Sequence, residues 1–139
     1  MHSPSLVLAI CLASSALAAP ADQIEAPRPE PCIPFAPDLD EQDMAAPAGL
    51  SYSDVKTALN GVIQHALYCP RPEGFDSAHL TFDMIVGCDG LVVQISTVDD
   101  GGVPDSYVRC VSDVIAKADF PAHDFEDGFP VTYPVNVNW

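Results

Sequence analysis

Lysine and arginine are scarce in this sequence. There are 5 of them against 20 aspartates and glutamates, for a formal net charge of −15. That imbalance excludes a nucleic-acid binder, because a polyanionic phosphate backbone would repel the chain. It argues equally against attraction to an anionic membrane surface. Long apolar runs are missing too: the longest, from Leu6 to about Ala19, has roughly 14 residues, whereas a membrane-spanning helix needs about 20. No pair of cysteines shows the CxxC spacing of a zinc site. Neither a phosphate-cradling glycine loop nor the nucleophile-elbow glycines of serine hydrolases occur. Each absence removes a class of function.

What is present begins with the N-terminus. The segment "LVLAICLASSALAAPADQ" ends its apolar run in small residues, with Ala16-Leu17-Ala18 in an Ala-x-Ala arrangement. It reads as a secretory signal peptide over residues 1–18. The leading "MHSPS" carries no Lys or Arg, so an uncleaved membrane anchor stands as the alternative. A lipoprotein reading at Cys11 fails on Ile10, which is bulky where a small residue belongs. All the acids and all the basic residues lie beyond position 18, so the mature chain keeps its charge of −15. No membrane insertion of that mature chain is expected.

Removing the signal leaves Cys32, Cys69, Cys88 and Cys110. In an exported chain four cysteines read as up to two disulfides, with three connectivities open.

Residues 19–50 form a Pro-rich acidic tail or linker with seven prolines, seven acids and one arginine. Proline fixes φ and removes donors, so an extended, largely solvated segment is expected. Cys32 sits inside it beside Ile33 and Phe35, which suggests that the tail is stapled somewhere.

Residues 51–139 are periodic. "SYSDVKTALNGVIQHALYC" offers Ser51 or Ser53 as an N-cap and a stripe of Val55, Ala58, Leu59, Val62, Ile63, Ala66 and Cys69. Leu80, Phe82, Met84 and Val86 alternate with polar residues, as in a half-buried strand. Asp89-Gly90 suits a tight hairpin turn, with Leu91, Val93 and Ile95 facing inward from a second strand. A second helix follows Pro104, carries Tyr107, Cys110, Val111, Val114, Ile115 and Ala118 on one face, and ends at Pro121 after Phe120. In "GFPVTYPVNVNW", Val131, Tyr133, Val135, Val137 and Trp139 point inward. The expected class is α+β, in the order α-β-β-α-β. A three-stranded antiparallel sheet of order 3-1-2 would carry both helices on one face.

The Cys closing the first helix, the hairpin bracketed by Gly87 and Gly90, "CVSDVI" in the second helix, Phe120-Pro121 and "VTYPVNV" occur in that order. Together they resemble the TonB C-terminal-like domain. The closest version is the gliding-motility-associated (AgmX/PglI-type) C-terminal domain of myxobacterial envelope proteins. The likeness covers about Tyr52 to Val137 and implies the fold more firmly than a role. It departs from an energy transducer in three ways. The hydrophobic segment looks cleavable. The acidic spacer of about 32 residues would reach only about 100 Å even when extended. Pro134 blunts the final strand as an acceptor of a partner's strand.

That version has matching cysteines in its two helices. With the helices side by side, Cys69 and Cys110 are expected to pair, closing a loop of roughly 40 residues worth about 4 kcal/mol. Cys88 is then left for Cys32, and that bond would pin the acidic tail across the domain.

Candidate sites are few. His123, Asp124, Glu126 and Asp127 offer a metal or acid–base cluster, but the simpler reading is a solvated acidic loop. "DDGG" with Asp105 lacks the ligand spacing of an EF-hand and reads as turn chemistry. His65 and His79 read as surface residues, and Ser96 and Ser112 have no base nearby in sequence. Neither a catalytic centre nor a metal site nor a cofactor is expected.

The expected function is therefore a non-catalytic module, exported to the periplasm or beyond, that contacts another envelope protein by sheet edge or sheet face. A face bearing His79, Thr81, Asp83, Thr132, Asn136 and Asn138 would make that contact modest and wet. The alternatives are a small secreted metal-dependent hydrolase using the His123/Asp124 loop, and an uncleaved, membrane-anchored TonB-like energy transducer.

Overall fold

The computed structural model describes residues 26–35 and 46–139. The expected signal peptide and the remainder of the acidic tail lie outside the described residues.

Ser51 starts the first helix. Its hydroxyl accepts the Asp54 N–H at 3.1 Å, and the Asp54 carboxylate accepts the Ser51 N–H at 3.0 Å. This reciprocal pair satisfies two donors that the first turn leaves open. The α-helix, α1, covers Tyr52–Ile63 and buries Val55, Leu59 and Val62. The apolar stripe continues to Cys69, but Gln64–Tyr68 tightens into a 3₁₀ turn. Pro70 disfavours helical geometry at the residue before it. Cys69 is accordingly extended, with φ −64° and ψ 137°.

Strand β1 (Ser77–Val86) is the centre of the sheet, paired antiparallel with β2 (Val92–Asp99) and β3 (Phe129–Asn138) in the order β2-β1-β3. Leu80, Phe82, Met84 and Val86 point to the core and meet Val131, Val135 and Val137 of β3. Helix α2 (Asp105–Ile115) supplies Tyr107, Val108, Val111, Val114 and Ile115 to the same layer. Burying side chains of this size contributes about 1.5–3 kcal/mol each relative to exposure. The fold is thus α+β with both helices on one sheet face.

Three local expectations are corrected. The hairpin is a five-residue loop, Gly87 to Leu91, closed by Gly87 N–H to Leu91 O (2.7 Å) and Gly90 N–H to Gly87 O (2.9 Å). Pairing along β2 skips Val93 and Val98, so each is the extra residue of a bulge, and both are exposed. Each bulge shifts the alternation that follows it. Val92 therefore packs on the core in place of Leu91 and Val93, while Ile95 faces inward as expected. Finally, α2 stops at Ile115 instead of Phe120. Phe120 is 1% exposed, and its N–H is given to Gly90 O at 3.2 Å. A core plug tied to the hairpin loop cannot also continue the helix.

Two disulfides cross-link these elements. Cys69 joins Cys110 with Cα atoms 5.9 Å apart, and Cys32 joins Cys88 at 4.9 Å. No helix among the described residues is long and apolar enough to cross a membrane. The disulfides fit an oxidising, extracytoplasmic setting.

Candidate interaction surface

Among the described residues nothing covers the face of the sheet opposite the helices, where His79, Asp83, Thr132, Asn136 and Asn138 are exposed, and its side chains are tied across strands. His79 Nδ1 lies 2.7 Å from Asn136 Oδ1, and Thr132 donates its hydroxyl to Asp83. These pairs hold the polar groups in fixed directions at little further entropic cost. Near Ile85 and Pro130 the face dips into a shallow depression of about 280 Å3, with Asp83, Gln94, Ser96 and Thr132 around it. A polar rim over a small apolar floor suits a limited, hydrated contact.

The sheet edges are less open than the face. Trp139 donates its N–H to Asp76 O, 3.1 Å away. Donor direction alternates along a strand, and β3 pairs with β1 without a break. Val131, Tyr133, Val135 and Val137 therefore turn their N–H groups toward β1. Pro130, Thr132, Pro134, Asn136 and Asn138 face the free edge, and the two prolines have no N–H to offer. On the opposite edge, the bulges at Val93 and Val98 leave only Gln94 to Thr97 in regular register. Both edges are blunted against strand addition.

The His123 loop differs from its sequence reading. His123 is 2% exposed. Its Nδ1 accepts the Phe125 N–H at 3.1 Å, so the proton sits on Nε2, which donates to Val86 O at 3.3 Å. The ring packs edge-on against Phe129, with centroids 6.0 Å apart. Of the four candidates only Glu126 and Asp127 are exposed. Local acidity suggested water; the aromatic neighbours draw the imidazole inward. Asp124 is a backbone clamp. Its carboxylate accepts Gly49 N–H at 2.8 Å and Ala48 N–H at 3.1 Å, and these bonds hold its pKa below the ordinary aspartate value. Hydrogen bonds from the Ser51 hydroxyl, then from its N–H, lower Asp54 likewise.

Other candidates fall apart in space. His65 packs its ring near Tyr68, 5.8 Å between centroids. Asp99 and Asp100 each accept the N–H two residues on, from Gly101 and Gly102, which is turn chemistry. Ser96 points its hydroxyl toward the Asp83 carbonyl at 3.5 Å, and Ser112 is half-buried in α2. Among the described residues no group of three or more His, Cys, Asp or Glu is placed to hold a metal ion.

Sequence reasoning pointed to the Cys32–Cys88 bond but missed the hydrogen bonds that seat the tail. Glu30 donates its N–H to Asp89 O (3.1 Å), Ile33 donates to His123 O (3.2 Å), and Ala122 donates to the Glu30 carboxylate (3.1 Å). The one signal for it was a cysteine among prolines. Compared with known proteins, the chain matches no family model, no curated protein and no solved structure.

Proposed function

We propose that this chain is an exported, non-catalytic envelope or secreted protein whose TonB C-terminal-like module binds another protein. The observation that carries the reading is the sheet face left exposed by the described residues, with its side chains oriented by the His79–Asn136 and Thr132–Asp83 pairs. The two disulfides support export. The α-β-β-α-β order with β1 central supports the module.

The partner contacts the face, because prolines and bulges blunt both edges. A transducer that hands its outer strand to a receptor is disfavoured on the same ground. A hydrolase centred on His123 is disfavoured because both ring nitrogens are already engaged in a buried site. With a net charge of −15, the partner's contacting surface is neutral or basic.

The test is photo-crosslinking in cells from a probe at Thr81 or Thr132, compared with a probe at Lys117 on the helical side. A specific adduct from the sheet-face positions alone supports the reading. Equal adducts from all positions, or none from Thr81 and Thr132, refute it.

A further inference from the structure

Residues 26–35 lie over the hairpin loop and the His123 loop as a strap. Eight of the ten are exposed, and only Pro27 and Phe35 are partly buried. The strap therefore gains little from apolar burial. It makes the hydrogen bonds of Glu30 and Ile33 described above, at the molecular surface. Such bonds are modest in net worth, while ordering each residue carries an entropic cost. The Cys32–Cys88 bond ties it covalently to the hairpin loop.

The two disulfides differ in access. Cys32 is exposed and Cys88 half-buried, whereas Cys69 is 4% exposed beneath the helices and Cys110 is half-buried. Thiol exchange requires a thiolate to reach a sulfur along the bond, so access decides which bond opens.

We propose that Cys32–Cys88 is an exchange site for a dithiol reductant, and that its opening releases the strap while Cys69–Cys110 keeps the domain folded. A reductant thiolate attacks the Cys32 sulfur, forming a mixed disulfide and expelling Cys88 as a thiolate, which takes up a proton. The reductant's second thiol attacks that mixed disulfide, leaves as a closed disulfide, and frees Cys32 as a thiol. Two electrons and two protons pass from the dithiol to the two cysteines. The co-reactant class is a dithiol because the second thiol resolves the intermediate. The chain's charge of −15 also disfavours the approach of small anionic monothiols such as glutathione. Opening the bond strips the Asp89 and His123 carbonyls of their partners on the strap and exposes the rim of the loop end.

The test is a titration of the oxidised full chain with dithiothreitol, quenched by acid, alkylated and mapped by mass spectrometry. Cys32 and Cys88 are expected to label at about tenfold lower dithiol than Cys69 and Cys110. Hydrogen exchange on the half-reduced species is expected to show lost protection at Glu30, Ile33 and Ala122, with β1 still protected. Simultaneous opening of both bonds overturns the proposal, as does retained protection at Ile33 after Cys32 is alkylated. The C32S/C88S variant, oxidised at its remaining pair, should fold and match the half-reduced pattern. Failure of that variant to fold makes the bond structural and also overturns the proposal. Glutathione at equal thiol concentration is expected to open Cys32–Cys88 more slowly than dithiothreitol; equal rates refute the dithiol preference.

Discussion

The carboxylate of Asp124 closes on the backbone of Gly49, 75 residues away, with Oδ1 2.8 Å from its N–H while Oδ2 takes the N–H of Ala48. This clamp brings the segment before α1 against the loop before β3. Gly49 has φ +63°, and a side chain there would strike the Phe129 ring, so the close approach depends on glycine.

The clamp makes stability depend on acid. Asp124 and Asp54 both titrate below their ordinary value in the fold, because the Gly49 and Ala48 N–H groups donate to one and the Ser51 hydroxyl and N–H to the other. Their contribution is complete above the unfolded value, near pH 4, and is lost as pH falls through the folded values below it. Melting curves for the wild type and Asp124→Ala should differ at pH 7 and converge toward pH 2. A gap that persists at pH 2 would mean that the carboxylate charge is irrelevant.

Removing the inner staple should weaken the domain strongly. The pair Cys69→Ala and Cys110→Ala is expected to lower unfolding stability by about 2–4 kcal/mol, since the bond closes a loop with a sequence separation of 41. Denaturant titration measures it, and a loss under about 1 kcal/mol would contradict the assignment of this bond as the main staple.

Two glycines should respond in opposite directions. Gly90 has φ +83°, and a Cβ there would run into the Phe120 carbonyl, so Gly90→Ala should cost about 1–3 kcal/mol. Gly61 lies in α1, and apart from its chain neighbours and the helix's own backbone a methyl group there would have no atom within 4 Å, so Gly61→Ala should stabilise by about 0.5–1 kcal/mol. Thermal melts of both variants decide the matter.

Tyr107 contributes through its ring and not through its hydroxyl. It is 2% exposed, stacks edge-on with Trp139 at 5.3 Å between centroids, and its buried hydroxyl has no hydrogen-bond partner among the described residues. Tyr107→Phe removes that unsatisfied group and should be neutral or stabilising by up to about 1 kcal/mol. Tyr107→Ala should cost about 3–5 kcal/mol, as other large aromatic-to-alanine core changes do. A destabilising Tyr107→Phe would show that the hydroxyl is bonded in solution.

Much of the architecture was legible as pattern. The alternation of Leu80, Phe82, Met84 and Val86 survives because β1 pairs without a break with β3, whose own alternation places Val131, Val135 and Val137 beside it. Helical periodicity likewise located α1 and the buried face of α2, and the N-cap serines marked the first start, which the fold assigns to Ser51 over Ser53. Such signals are carried by neighbours in sequence, so one chain segment contains all of the information.

Other features were settled only by contacts between distant segments. Nothing local places Val93 and Val98 at bulges, because register depends on what β1 and the five-residue loop demand of β2. Local composition pointed His123 to water, but its ring lies inside because the Val86 carbonyl and the Phe129 ring meet it there. The end of α2 was set by Phe120 reaching the core and Gly90. The strap over the His123 loop follows the same rule, since its backbone partners lie 59 or more positions along the chain at Asp89 and His123. Side-chain period is a property of a single segment, whereas burial and hydrogen-bond partnership belong to pairs that only the folded chain brings together.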